Sequence, residues 1–178
     1  MAYLLRQSIE EAAAGPPAAL AEAEVFRLAM REFASGVAVV ATGSGERRNG
    51  CTATSLCSLS IEPPALVVCL SRASATLKAI QKEGAFGVSM LAETHAGLAD
   101  RFAGRSGLRG AARFDGSDWI ALASGAPLLK GAVALLDCEV EEIIERHTHA
   151  IVIGRVAAAK AGGGRPLLHW RGRWAPAP

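Results

Sequence analysis

Flat side chains, an excess of either charge and long apolar runs are all scarce in this sequence. Its 178 residues include one Tyr, three Trp and five Phe, 5% aromatic in all, which leaves too few rings for stacking platforms along a nucleic-acid strand. Lys and Arg number 19 against 17 Asp and Glu, a net charge of +2. The basic residues are scattered, so no concentrated basic face is offered to a phosphate backbone. No uninterrupted apolar run approaches the roughly 18 residues of a membrane span. The first residues, MAYLLRQSIEEAAAG, reach Arg6 after a short apolar stretch and then carry two glutamates, so the basic and long apolar regions of a secretory leader are missing. Cysteine is sparse as well. Cys51, Cys57, Cys69 and Cys138 form no C-x-x-C pair and sit among apolar or small neighbours, as reduced thiols of a cytoplasmic chain do.

Familiar catalytic signatures are also absent. GSGERR at 43 to 48 fails the last glycine of G-x-G-x-x-G and lies in a turn between strand-like segments, where it does not cradle a pyrophosphate. There is no P-loop, no nucleophile elbow and no H-E-x-x-H helix.

What the sequence does contain is core. Hydrophobic residues make up 51%, and the length suits a single domain. Residues 1 to 20, alanine-rich with Pro16 and Pro17, read as a lead-in, and 21 to 178 as the domain. Val25, Leu28, Ala29 and Phe33 predict an amphipathic helix ending at Gly36. The pattern then changes to strands at 37 to 42 and 51 to 61 around a Gly-rich turn, and a buried strand at 65 to 71. A helix capped by Ser74 runs from 74 to 83 and ends near Gly84. A strand at 85 to 91, a short helix at 93 to 104 and an Arg/Gly loop at 105 to 118 follow. Long strands at 131 to 145 and 149 to 160 predict an antiparallel hairpin. In the first, Leu136, Cys138 and Val140 alternate with Asp137, Glu139 and Glu141, which predicts one buried and one wet face. The tail at 162 to 174 supplies a last strand. The fold class is therefore mainly β with peripheral helices, an antiparallel sheet or barrel rather than a doubly wound one.

Two polar clusters stand out on this apolar ground. Thr52, Thr54, Ser55, Ser58 and Ser60 put hydroxyls on one strand, either toward an uncharged-donor ligand site or toward solvent. His147-Thr148-His149 places two imidazoles at alternate positions, which suits a metal pair lacking a specified third ligand, an exposed turn, or a ligand-contacting histidine.

The strings FRLAMREFASGVAVVAT, GCTATSLCSLSIEPPALVVCLSR, FGVSMLAETHAGLADRFAG, GAPLLKGAVALLDCEV, THAIVIGRV and PLLHWRGRW occur in the order seen in the flavin reductase family. Over about residues 25 to 174 the chain resembles those small NAD(P)H:flavin oxidoreductases with the FMN-binding split-barrel fold. The resemblance implies an antiparallel split β-barrel binding FMN or FAD and NADH or NADPH, with no metal. It implies that Thr52, Ala53, Thr54, Ser55 and Leu56 line the isoalloxazine, with Ser58 and Leu59 nearby. Ser71, Ser74 and Thr76 would face the ribityl phosphate at a helix N-terminus, with Arg72 or Lys78 able to add charge. Arg105, Gly107 and Leu108 would approach the flavin from the loop.

The family's G-D-H triplet corresponds to His147, Thr148 and His149. The nicotinamide-side histidine, His149, is kept and the acidic residue is not. Arg171 or Arg173 would help hold the nicotinamide nucleotide. The implied reaction is hydride transfer from nicotinamide C4 to flavin N5, with reduced flavin passed to a partner monooxygenase by a homodimer that needs neither nucleic acid nor membrane. The other readings are a flavin-binding electron-transfer module without nicotinamide turnover, a reductase of another bound acceptor, and a relative of pyridoxamine-phosphate oxidases acting on an organic substrate.

Overall fold

The structure, a computed structural model, describes residues 20–177, which fall into two units, residues 20–32 and 33–177. The lead-in predicted for 1 to 20 lies, but for residue 20, outside the described residues. The first unit holds helix α1, Ala23–Arg31. It stops five residues before Gly36, and its apolar Val25, Phe26, Leu28 and Met30 are exposed.

The second unit is a split barrel. Its strands are β1 (Ser35–Gly36), β2 (Ala38–Thr42), β3 (Asn49–Ala53), β4 (Leu56–Ile61), β5 (Pro64–Ser71), β6 (Ala85–Met90), β7 (Trp119–Ile120), β8 (Leu128–Leu129), β9 (Ala134–Arg146), β10 (His149–Ala161), β11 (Leu167–Trp170) and β12 (Arg173–Pro176). Helices α2 (Ala75–Glu83) and α3 (Ala96–Phe102) lie among them. The main sheet is seven-stranded, ordered β3-β2-β6-β9-β10-β5-β4, with every pair antiparallel. Its two end strands are consecutive in sequence. The segment expected as one strand from 51 to 61 breaks at Thr54 and Ser55, and β3 also touches β5 across the seam. A separate three-stranded sheet, β1-β11-β12, takes up the tail, which forms a hairpin rather than the single strand expected.

Both faces of the central strands are covered, which is why β2 reads as a continuous apolar run and is buried throughout. Val40, Val88, Val68, Val152 and Cys138 pack with Leu77 and Ile80 of α2. Val39, Ala41 and Leu135 pack on the opposite face with Leu98 and Phe102 of α3 and with Phe114. Glu139 and Glu141 are exposed as the alternation predicts, but at Asp137 this second layer covers the expected wet face of β9. Asp137 is fully buried, and both of its carboxylate oxygens are met by Ser124, through the backbone N–H at 2.8 Å and through the hydroxyl. Beside it, burial and then the Asp137 charge push the Cys138 thiol up to about 12. All four cysteines are free: Cys138 is buried, Cys51 and Cys69 are half-buried and Cys57 is exposed.

Helix α2 forms as its capping residues dictate. Ser74 Oγ accepts from the Thr76 N–H at 3.1 Å, and Gly84, at φ +70°, supplies the left-handed residue that ends the helix. Among the described residues no helix is long and apolar enough to cross a membrane.

Candidate functional site

The turn at 71 to 74 leads from β5 into α2, and β10 runs beside β5 in antiparallel register. Ser71 and His149 are paired residues in that register, which sets their Cα atoms about 5 Å apart. The hydroxyl-bearing turn and the hairpin histidine, 78 positions apart in sequence, thus share one surface.

Further contacts bring in the other predicted segments. Ser55, at the break between β3 and β4, donates its hydroxyl to the Cys69 carbonyl at 2.7 Å, two residues before Ser71. Thr76 Oγ1 donates to Asn49 Oδ1 at 3.0 Å, seating the start of α2 on the start of β3. Arg113 donates to the Leu108 carbonyl at 2.9 Å and to the Gly50 carbonyl at 3.0 Å, folding the 105 to 113 loop over the same end of β3.

These contacts also sort the predicted residues. Thr76 is buried on Asn49, so its hydroxyl anchors α2 instead of facing a ligand. Thr52 donates to the Ala99 carbonyl of α3 at 2.7 Å, and the Ala53 side chain belongs to the core. Arg105 is also engaged. It donates to Asp100 Oδ1 at 2.6 Å and lies 5.2 Å over the Trp174 ring, turned toward the C-terminal hairpin. The exposed residues are Ser55, Ser58 and Leu59 at the strand break, Ser71 at the turn, Gly107 and Leu108 in the loop, and His149, with Thr54, Leu56 and Ser74 half-buried among them. Thr54 and Ser58 make no side-chain hydrogen bond among the described residues. Leu59, at a bulge opposite β5, is 55% exposed. Arg171 stacks over Trp170 at 4.6 Å, and Arg173 and Lys78 are exposed.

Three roles escape inspection of the sequence. The Thr148 hydroxyl lies 2.9 Å from His149 Nδ1, in the place where an acidic neighbour was missing. Arg72, given above as able to add charge at the phosphate, is bound instead to the 145 to 148 hairpin tip. Asn49 holds α2. Only Thr148 had a visible signal, its adjacency to the histidine.

The donor set fits a flavin nucleotide. The N-terminal N–H groups of α2 and the uncharged hydroxyls of Ser71 and Ser74 suit a phosphate. Glu145, the carboxylate nearest them in the hairpin, is paired with Arg72 at 2.8 Å. Exposed Leu59 and Leu56, which is half-buried against the core, are the apolar side chains beside them. The surface is open in the single chain. Four cavities of about 190 to 370 Å³ contain none of these residues except Leu56. Among the described residues no group of His, Cys, Asp and Glu is placed to hold a metal ion.

An antiparallel split barrel with a capped helix N-terminus and a hairpin histidine on one open surface defines a class of nucleotide-binding barrels. Within it, the chain belongs to the family described as "Flavin reductase like domain", which it matches over residues 30–178. It is similar to the FMN reductase (NADH) RutF 2 of Methylorubrum extorquens, at 42% identity over 148 residues, 83% of this chain and 85% of that one. It is 37% identical over 149 residues to the reductase component of 4-hydroxyphenylacetate 3-monooxygenase of Thermus thermophilus, 83% and 92% of the two chains. Its fold matches the NADH:FAD oxidoreductase SgcE6 of Streptomyces globisporus C-1027, solved in complex with NAD and FAD fragments. That match has a TM-score of 0.79 and 31% identity over 89% of this chain and 96% of the other.

Proposed function

We propose that this protein is an NADH-dependent flavin reductase that reduces FMN or FAD and releases it to a partner monooxygenase. The observation that carries this reading is the register pairing of Ser71 with His149, which sets a phosphate-type turn beside a hairpin histidine in a chain of this family. When bound, the two nucleotides supply the hydride chemistry between nicotinamide C4 and flavin N5. The protein's part is to hold and orient them.

Ser71, Ser74 and the first N–H groups of α2 hold the flavin phosphate, where the helix dipole favours an anion. Thr54, Ser55, Leu56, Ser58 and Leu59 line the ring, with Gly107 and Leu108 closing from the loop. Thr52, Ala53 and Thr76 shape this wall through the backbone they fix, and Arg105 holds the loop's base. His149 meets the nicotinamide nucleotide. No side chain must act as acid, base or nucleophile in hydride transfer, in keeping with the lack of catalytic signatures in the sequence.

The open surface also favours a homodimer, in which a second subunit covers exposed apolar residues such as Leu59 and Ile61. The four free thiols fit a cytoplasmic setting.

The test separates the two nucleotides. Ser74→Ala is expected to raise the KM for flavin about ten- to a hundred-fold, the loss of roughly one hydrogen bond to a charged group, with the KM for NADH little changed. His149→Ala is expected to do the reverse. Equal effects of both variants on both constants would refute this assignment of roles.

A further inference from the structure

The tip of the β9–β10 hairpin is held from outside by one residue of the neighbouring turn. Arg72 donates its backbone N–H to the Thr148 carbonyl at 3.0 Å and its Nη1 to the His147 carbonyl at 3.1 Å. Its Nη2 lies 2.8 Å from Glu145 Oε2. Three groups of the tip, the Glu145 carboxylate and the His147 and Thr148 carbonyls, are thus gripped by a single side chain and its own amide. The tip needs holding, because His147 sits in the left-handed region at φ +51°, where a β-carbon is crowded.

An isolated surface ion pair contributes little. Here the planar guanidinium reaches a carboxylate and a carbonyl at once from a fixed backbone position, which a lysine's point charge cannot reproduce.

The ring at the end of this construction is fixed separately. Thr148 Oγ1 lies 2.9 Å from His149 Nδ1. Whichever way the shared hydrogen points, Nδ1 is engaged, and Nε2 is the nitrogen left to meet a ligand.

We propose that Arg72 and Thr148 are positioning residues. Arg72 locks the hairpin tip to the turn at 71 to 74, and Thr148 sets the His149 ring, so that the nicotinamide histidine is preset against the flavin phosphate turn. This rests on the role given to His149 above. It adds that a hydroxyl here does the orienting otherwise expected of a carboxylate, and that the flavin turn and the nicotinamide hairpin are one mechanical unit. Preset geometry of this kind lowers the ordering cost of binding, so its loss falls on the KM for NADH.

The experiment compares full-length wild type with Arg72→Met, Arg72→Lys, Thr148→Val, Thr148→Ser, His149→Ala and the Thr148→Val/His149→Ala double variant. It measures flavin Kd by fluorescence, and kcat and the KM for NADH by steady state. Arg72→Met and Thr148→Val are expected to raise the KM for NADH about three- to ten-fold with smaller changes in kcat, and Thr148→Val leaves the flavin Kd unchanged. Thr148→Ser restores the wild-type value and Arg72→Lys only part of it. In the His149→Ala background Thr148→Val has no further effect, because Thr148 acts through the ring. If His149→Ala raises the KM for NADH but Arg72→Met and Thr148→Val do not, the positioning role is wrong and the reading of His149 stands. An undiminished Thr148→Val effect in the double variant also overturns the positioning role. If His149→Ala leaves the KM for NADH unchanged, the reading of His149 fails and this proposal with it.

Discussion

His147 carries the one strained backbone in the proposed nicotinamide hairpin. At φ +51° its β-carbon costs about 1–2 kcal/mol relative to a right-handed residue, and glycine gives back part of that gain as chain entropy on folding. His147→Gly is therefore expected to stabilise the protein by about 0.5–1 kcal/mol, seen as a higher urea midpoint with unchanged slope. A lower midpoint would mean that the imidazole makes a contact outweighing the strain.

At this scale the sequence showed where the hydroxyls and histidines cluster but not where each one points. The hydroxyl density at 52 to 60 was legible. The destinations of Thr52 and Thr76 were not, because their partners Ala99 and Asn49 lie 47 and 27 positions away. A hydroxyl that anchors a helix and one that meets a ligand look alike in a string of letters.

The elements around the site are joined by a few polar ties, and one of them titrates. The hydrogen bond from Trp174 and the neighbouring Arg105 hold the Asp100 carboxyl below its ordinary range. This joins α3, the 105 loop and β12. A carboxyl depressed in the folded state stabilises above its unfolded pKa, near 3.8, and that contribution disappears as the pH falls through the lower folded value. Acidification below about pH 4 should therefore change the emission of Trp174 before global unfolding. Asp100→Asn should show the altered emission already at neutral pH. An identical acid profile in wild type and Asp100→Asn would show that the tie does not hold these elements together.

Element type was largely readable. Ser74 and Gly84 bracket α2 as their capping chemistry requires, and the long β9–β10 hairpin follows its alternation. Two features were not readable. The break at Thr54 carries neither Gly nor Pro, and it is fixed by the Ser55 bond to β5. Asp137 obeys the alternation and is nevertheless buried, since period-two patterning sees one strand and not the segment carrying Ser124 that packs over it.

On the scale of the molecule, element order and turn spacing specified an antiparallel sheet or barrel, and the family motifs specified the split barrel. The openness of the site in one chain could not be read, because it depends on what the strands leave uncovered. The proposed homodimer predicts sedimentation at twice the mass of the chain at micromolar concentration, and Ile61→Asp, at an exposed apolar position, should shift the profile toward monomer. A monomeric wild type would contradict the dimer while leaving the reductase chemistry in place.

The central claim is that the barrel brings NADH and a flavin together for hydride transfer. It is tested most directly by mixing the purified protein anaerobically with NADH and either FMN or FAD and following flavin absorbance. The account predicts bleaching of at least one flavin at a rate that saturates with NADH and rises in proportion to enzyme. Flavin that stays oxidised with both nucleotides present would contradict it.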